Sequence, residues 1–445
     1  MPKIIVAGGG HGGVVAAINL AKNGFDVTIF EASEQENFGL AQTDALDMNA
    51  FTYAELEVPE YFRRGRNEIT FLPKEKDAGK ITLPGQEALS LLVDRKELIT
   101  YLFSQAEKAG VKIIYGEKVL SPLLLGNRVA GVVTDKGEYY ADLVIDACGV
   151  ESPVRNGLPE YMGVNRPIEK YDVVYSYRGY FNRLPGEIAP ETDYNIHFRD
   201  DGNVGFYWLV TEFDRIDVLV CRFYKPDDSE ILTTLKTLHE ENPHMGLDLV
   251  YGGSHDIIPV CQPLGVLVAD GYAAVGDSAF MTIALKGSGI AYSIKAGKIL
   301  ADAVIADENC CYSQETLWEY QRRFFKEIGI GAGGIAILKN MLPFMTADDV
   351  NKLFAMNLVT TEELNALWTN KADAVFNAKG IAAIKSKIRK VSDEPLLKNL
   401  LANLVVWLTK YAVLQASFPN KYDKKAVLEW NDKYNKFFES IKRKD

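Results

Sequence analysis

The 445-residue chain is short of the residues that build metal centres and disulfide frameworks. It has five cysteines, an odd number, of which only Cys310 and Cys311 lie close together. No CxxC or other zinc-ligand spacing occurs, so no metal site is expected, and reduced thiols in a reducing compartment are the plain expectation. The five histidines are scattered. His197, His239, His244 and His255 fall into no Ser/His/Asp or metal-ligand pattern, which leaves hydrolytic triads without support. The net charge is −11, and the only dense basic cluster is the terminal "IKRKD", so nucleic acid is not an expected partner. No uncharged apolar run reaches transmembrane length. The first apolar run begins at Lys3, leaving no room for a signal peptide, and a cytoplasmic location is the expectation.

What is present starts at once. "KIIVAG" is a short run rich in β-branched residues, as in a buried parallel strand. It leads into "GGGHGG", with Gly8, Gly10 and Gly13 in G-x-G-x-x-G spacing. "VVAAINLAKNG" follows with helical periodicity and Gly24 as a C-cap, then "DVTIFEA", a second buried strand ended by Glu31 and Ala32. Strand, glycine loop, helix, strand and terminal acid together form the dinucleotide fingerprint. Gly8 permits the tight turn, Gly10 with Gly12 lets backbone approach a pyrophosphate, and Gly13 lets helix pack on strand. The helix N-terminus offers free N–H groups and a positive dipole end to the phosphates. Glu31 is expected to accept from the adenosine ribose. His11, within the loop, is expected to be neutral because the helix N-terminus disfavours its cation. The fingerprint alone does not separate NAD from FAD.

"GIGAGG", residues 329–334, repeats the spacing but follows the charged, helix-like "LWEYQRRFFKEI" and leads into no acid-ended strand. It reads as a helix–helix turn whose small residues allow close approach.

Three distant stretches point back to the first loop. "VDRKELITYLFSQAEKAGVKIIYG" is a helix with a strand behind it; "LVIDACG" is a buried strand ending at Asp146, Cys148 and Gly149. "GYAAVGDSAFMTIALKGSGIAYSIKAGKILAD" holds a strand, Gly276-Asp277, a loop and a helix starting near Gly287–Gly289. These pieces, in this order, resemble the flavoprotein superfamily of para-hydroxybenzoate hydroxylase type, which includes aromatic hydroxylases, flavin-dependent halogenases and geranylgeranyl reductases. The resemblance covers residues 1–310 or so. It implies a Rossmann-like FAD-binding domain (α/β) with an inserted antiparallel-sheet substrate domain and a helical C-terminal region. By that resemblance Asp277 would hydrogen-bond the ribityl chain of FAD, Arg95 would reach the cofactor from the side, and the backbone of Lys286, Gly287, Ser288 and Gly289 would sit at the flavin pyrimidine. A second helix N-terminus there suits the negative charge of a reduced flavin. Two features depart from the family: Cys148-Gly149 stands where Asp-Gly is usual, and Ala284 where a proline is usual. Cys148 reads as a small buried residue rather than a redox thiol.

Residues 165–225 alternate as antiparallel strands: "YDVVYSYRGYF", "YNIHFRD", "VGFYWLVT", "IDVLVCRFY". "GFYWLVTEFDRIDVLV" and "HDIIPVCQPLGVLVADGYAAVGD" resemble segments of the geranylgeranyl reductases, where the first faces substrate beside the flavin. Tyr207 and Trp208 are therefore the pocket candidates, with Tyr207 as proton donor, against the plain reading of sheet-core aromatics. "FGLAQTDALDM" offers Thr43 and Asp44 but lacks the reductases' cysteine, and the halogenase WxWxIP motif is absent. Lys286 would favour an anionic reduced flavin, or else simply face solvent. The expected divisions are 1–45, 92–162 and 264–312 for the FAD-binding domain, 46–91 and 163–263 for the substrate domain, and 313–445 for the helical region. There, "LLKNLLANLVVWLTKYAVLQ" carries one broad apolar face: a roof over a pocket, an interfacial helix touching membrane, or a helix packed on the core or a partner subunit. Ionic residues elsewhere do not read as a basic membrane face.

The resulting expectation is an FAD-dependent reductase or dehydrogenase acting on carbon–carbon double bonds of an apolar, isoprenoid-like substrate through flavin N5. The alternatives are an NAD(P)H-dependent monooxygenase and a non-catalytic flavin carrier. The electron donor would be NAD(P)H or a reduced carrier protein, since no second Rossmann site exists in the sequence. Oligomeric state is left open.

Overall fold

A computed structural model describes residues 1–64, 68–85, 90–185, 194–200, 204–212, 214–369 and 376–444. The first sheet has six strands in the order Val268–Ala269, Tyr272–Ala274, Leu143–Asp146, Lys3–Ala7, Asp26–Phe30, Lys112–Ile114. All neighbours are parallel except the first pair. The strands of its centre are buried on both faces: helix His11–Lys22 packs on Lys3–Ala7 and Asp26–Phe30, and a three-stranded antiparallel sheet (Val119–Leu125, Arg128–Thr134, Glu138–Tyr140) packs on Lys3–Ala7 and Leu143–Asp146 through its middle strand. Strand order reverses between Lys3–Ala7 and Leu143–Asp146, which opens a crevice at their carboxyl ends. The glycine loop and the Ala147–Gly149 turn both lie there. A Cβ on Gly8 (φ +85°) would sit 2.6 Å from the Ala147 carbonyl oxygen.

A second sheet has seven strands in the order Met245–Pro259, Val173–Arg183, Arg215–Arg222, Val204–Thr211, Tyr194–Asp200, Ile69–Leu72, Ile81–Leu83. Neighbours are antiparallel apart from Tyr194–Asp200 with Ile69–Leu72. The helix Asp228–Glu241 covers one face of this sheet, burying Ile231, Leu235 and Leu238 against Phe181, Leu209, Val218 and Val220. The short strand Thr43–Asp47 pairs with Ser90–Asp94. The chain is thus a mixed α/β fold with parallel and antiparallel sheets and a helical C-terminal region.

The C-terminal region consists of helices at Trp318–Phe324, Ile330–Lys339, Ala347–Ala355, Thr361–Trp368, Ala378–Ile388, Pro395–Ala416 and Lys424–Ser440. "GIGAGG" is not a turn. A π-helical segment, Phe325–Gly329, joins Trp318–Phe324 to Ile330–Lys339, so the chain stays helical through the glycines. The small residues do serve close approach: a Cβ on Gly333 would meet Tyr411 Oη at 2.0 Å, and one on Gly334 the Phe376 ring at 2.5 Å. Among the described residues no single helix is long and apolar enough to cross a membrane.

Candidate active site

The first helix, His11–Lys22, starts on Gly10 with no side-chain cap and no acid in its first turn, so its free N–H groups are left for a ligand. The Glu31 carboxylate accepts from the Gly9 N–H and the Ser33 N–H, each at 2.8 Å, and so pins the loop. A second helix, Ile290–Ile305, starts on Gly289, again without a side-chain cap or a first-turn acid. The two helices touch through glycine: a Cβ on Gly12 would lie 2.8 Å from the Ser293 carbonyl oxygen, and one on Gly297 2.2 Å from that of Gly12. Two uncapped N-termini therefore sit side by side in one fold.

Asp277 lies beside the second of them, since a Cβ on Gly289 would come 3.2 Å from its Oδ1. Burial raises its carboxyl above the ordinary range, and Thr282 Oγ1 donates to it at 3.0 Å. Gly276 and Gly287 hold φ of +69° and +63°, conformations in which a side chain would be strained. The Ile283 N–H donates to the Ser288 carbonyl at 3.0 Å, closing the loop. His11 is neutral, as expected, though burial is the larger cause: its pKa is pulled down to about 3 by burial and then by the charge of Arg95. Its Nε2 is buried with no hydrogen-bond partner. Arg95 begins the helix Arg95–Lys108, donates through Nη1 to Gln42 Oε1 at 3.0 Å and pairs with Asp44 at 3.5 Å. Gly149, at φ +84°, donates its N–H to Ser278 Oγ. Asp146 is fully buried and accepts from Ser152, Tyr272 and Ser278, so it builds the strand end instead of facing a ligand. Burial, then the Asp146 charge, pushes the Cys148 thiol well up, in keeping with a non-redox residue.

These parts open into one cavity of about 980 Å³. Gly10, His11, Gly12, Arg95, Gly149, Gly276, Asp277, Gly287, Ser288 and Gly289 lie on its wall; Gly8, Gly13, Glu31 and Ala32 do not. Gly8 and Gly13 act by admitting Ala147 and Val6 to the loop. From the cofactor end the cavity runs into an apolar chamber. Its floor is the second sheet, with Ile196, Phe198, Phe206, Trp208 and Leu219; its roof is helical, with Leu338, Leu342, Leu353, Phe354, Leu364, Leu367, Trp368, Ile384, Leu401 and Leu404. The helix Pro395–Ala416 is therefore a roof and a packed helix at once.

Two of the three predicted catalytic residues are not where chemistry at the flavin needs them. Trp208 lines the chamber, but Tyr207 projects from the opposite face into the small core under helix Asp228–Glu241, stacked on His197 with ring centroids 4.5 Å apart. Successive strand residues point to opposite faces, so both could not face substrate. Lys286 touches the cavity wall, but its Nζ donates to the Trp368 carbonyl and lies 5.2 Å from that residue's ring centroid. It ties the Gly287–Gly289 loop to the roof and does not stand as a charge for the flavin. A buried group escaped sequence reading altogether. Arg178, on the chamber wall, binds Asp217 through Nε (3.0 Å) and Nη2 (2.7 Å), and its Nη2 also reaches the Thr43 carbonyl. Trp208 Nε1 donates to Asp217 at 3.3 Å, and the guanidinium lies 4.8 Å from the Trp208 ring. The indole that floors the chamber is thus fixed to the strand Thr43–Asp47, whose Asp44 pairs with Arg95. No local motif announces this.

The residues fit a flavin dinucleotide. A glycine cradle with an uncapped helix behind it suits the pyrophosphate, a second uncapped N-terminus suits an anionic ring edge, and the orphan His11 Nε2 provides a buried polar atom facing the same space.

Comparison with known proteins agrees. Two families, each described as FAD dependent oxidoreductase, match residues 3–150 and 89–303. The digeranylgeranylglycerophospholipid reductase of Sulfolobus acidocaldarius is 22% identical over 88% of this chain and 90% of its own. That of Haloferax volcanii is 24% identical over 67% of this chain and 74% of its own. In fold, a geranylgeranyl bacteriochlorophyll reductase-like protein of Thermoplasma acidophilum superposes with a TM-score of 0.70 at 20% identity, over 87% of this chain and 99% of its own. A probable FAD-dependent monooxygenase of Pseudomonas aeruginosa reaches 0.57 at 19% identity, over 80% and 99%. The uncapped paired helices, the glycine cradle and these matches converge: the chain is an FAD-dependent oxidoreductase that resembles the geranylgeranyl reductases.

Proposed function

We propose that this oxidoreductase saturates carbon–carbon double bonds in an isoprenoid-like lipid. The observation that carries the reading is the continuity of the cavity: one space holds the flavin-binding loops at one end and an apolar chamber of aromatic, leucine and methionine side chains at the other. A chamber of that kind gains affinity from buried apolar area, and its cations Arg178, Lys339 and Lys387 are engaged by Asp217, the Tyr171 carbonyl and Glu363, which suits a hydrocarbon chain rather than a polar metabolite. The reductase names of the relatives support the same substrate class.

Bound FAD would supply the two electrons and one hydrogen of alkene saturation as a hydride from N5, and the other hydrogen would come from solvent as a proton. The protein's contributions are separate from that step. The backbone at Gly10–Gly12 and Gly287–Gly289 would hold the cofactor's two ends, with Asp277 and Arg95 beside it. Trp208, held by Arg178 and Asp217, presents a flat apolar wall at fixed depth. The roof helices exclude water, which keeps the reduced cofactor from side reactions. NAD(P)H or a reduced carrier protein would replace the two electrons.

Anaerobic titration of the dithionite-reduced protein against apolar alkenes, phenols and quinones tests this. Reoxidation by polyisoprenoid alkenes, with saturated product, is expected. Reoxidation by quinones alone, or rapid oxygen uptake stimulated by a phenol with hydroxylated product, overturns it.

A further inference from the structure

The chain is acidic as a whole, yet its charge is unevenly placed. Residues 376–392 carry Lys379, Lys385, Lys387, Arg389 and Lys390 and no Asp or Glu. Residues 395–416 carry Lys398 and Lys410 and again no acid. The two segments form the helices Ala378–Ile388 and Pro395–Ala416, which pack on each other as a hairpin. Both turn the same way: Ile384 and Lys387 from one, Leu401 and Leu404 from the other, line the roof of the cavity. Helix Pro395–Ala416 also packs on Ile330–Lys339 and Lys424–Ser440, burying Leu408, Tyr411 and Leu414; the exposed faces left on the two helices lie away from the cavity. Lys387 is spent on Glu363 inside. The other six cations are exposed, and among the described residues none forms an ion pair or a side-chain hydrogen bond. Between them stand exposed apolar residues: Leu396 (40% exposed), Val406 (47%) and Val413 (68%). The acids nearest in sequence, Asp393 and Glu394, sit in the connecting turn, and Glu394 is paired with Lys352.

An acid-free run of unpaired cations is unusual on a protein of net charge −11, where a solvated surface normally intersperses both signs. Cations mixed with exposed aliphatic side chains on a helix face are the chemistry of an interfacial helix: ammonium and guanidinium groups meet anionic headgroups while aliphatic groups enter the acyl boundary. We propose that the outer face of this hairpin docks on the surface of an anionic lipid bilayer and sets the cavity roof against it. Sequence reading found no basic membrane face because the cations are spread over some thirty residues; folding into a hairpin brings them onto one side. An acidic electron-carrier protein would also be drawn to the cations. The aliphatic residues among them, and the position of the hairpin over the apolar chamber, favour the bilayer. Docking itself does not depend on the substrate class; that the roof then admits lipid from the bilayer rests on the proposed function.

Vesicle co-sedimentation of the full-length, FAD-loaded protein tests the docking without turnover. Vesicles of phosphatidylcholine with an equal part of phosphatidylglycerol should bind it in low salt and release it in half-molar sodium chloride; pure phosphatidylcholine should bind it weakly. The exposed triple variant K385E/R389E/K390E should lower the partition coefficient at least about a hundredfold while keeping the flavin absorbance of the folded protein. V406D/V413D should weaken binding as well. Reversal of three cations elsewhere, K22E/K108E/K136E, should leave it within about threefold. No binding to phosphatidylglycerol vesicles, or equal binding by the hairpin variant and the control, overturns the proposal. So does a triple variant that binds vesicles normally but no longer accepts electrons from an acidic carrier protein. A vesicle result of either kind stands whether or not the alkene reduction succeeds, so the two readings fail separately.

Discussion

Replacing Gly297 with alanine sets two opposing effects against each other. Gly297 lies within helix Ile290–Ile305, where alanine is the better helix former by about 1 kcal/mol. The added Cβ, however, would stand 2.2 Å from the carbonyl oxygen of Gly12 and 3.0 Å from its carbonyl carbon. Backbone cannot rotate away as a flexible side chain can, so the two helices must part by about 1 Å to restore an ordinary contact. Overpacking of this kind costs about 1–3 kcal/mol, which exceeds the propensity gain over most of that range. The displacement falls on the two helices whose N-termini are uncapped at the cofactor site. Affinity for FAD should therefore fall by about tenfold or more, beyond any loss of stability. Gly331, in helix Ile330–Lys339, is the control, since a Cβ there meets nothing within 4 Å. Gly331→Ala should leave FAD affinity alone and raise the denaturation midpoint slightly. Fluorescence titration with FAD and urea denaturation of the flavin-free protein measure both. If Gly297→Ala binds FAD as the native protein does and is stabilised like Gly331→Ala, the paired-helix geometry is wrong.

Other substitutions test separate parts of the site. His11 has a folded-state pKa near 3 against 6.5 unfolded, so the unfolded chain takes up the proton first and stability is lost as pH falls below 6.5. At pH 5 this single group costs the flavin-free protein up to about 2 kcal/mol; His11→Gln should flatten that part of the urea pH profile, and an unchanged profile contradicts it. Trp208→Ala should cost about 3–5 kcal/mol in stability and raise the KM for an apolar substrate, whereas Tyr207→Phe should leave turnover within about twofold. Loss of turnover in Tyr207→Phe would restore the tyrosine to the chemistry. Arg178→Met strands the buried Asp217 carboxylate and should destabilise by about 3–5 kcal/mol in urea; a loss below 1 kcal/mol would mean that water reaches the carboxylate.

The dinucleotide half was legible because its chemistry is local. Gly8, Gly10 and Gly13 stand in fixed spacing between a buried strand and a helix, and the Gly276-Asp277 and Gly287–Gly289 loops carry their own signatures. The substrate half was not, for a physical reason. In "GFYWLV" both alternating faces are apolar, because the cavity lies on one side of the sheet and helix Asp228–Glu241 on the other. Period-two alternation then says that Tyr207 and Trp208 part company but not which faces substrate. Lys286 looked like a flavin charge because its partner, Trp368, lies 82 residues downstream. Arg178 and Asp217, 39 residues apart, are hidden likewise: their pairing is a product of sheet register and leaves no mark in either stretch of sequence. "GIGAGG" misled in the other direction: glycines usually end helices, but here their missing side chains make room for Tyr411 and Phe376 in a helix that continues.

The most direct measurement is a single anaerobic turnover. The FAD-loaded protein is reduced with one equivalent of dithionite, mixed with an unsaturated polyisoprenoid lipid in detergent, and followed by flavin absorbance and lipid mass. Return of the oxidised spectrum together with gain of one H2 in the lipid per flavin is the expected result. A flavin that stays reduced until oxygen is admitted, with an oxygen atom then found in the product, contradicts it.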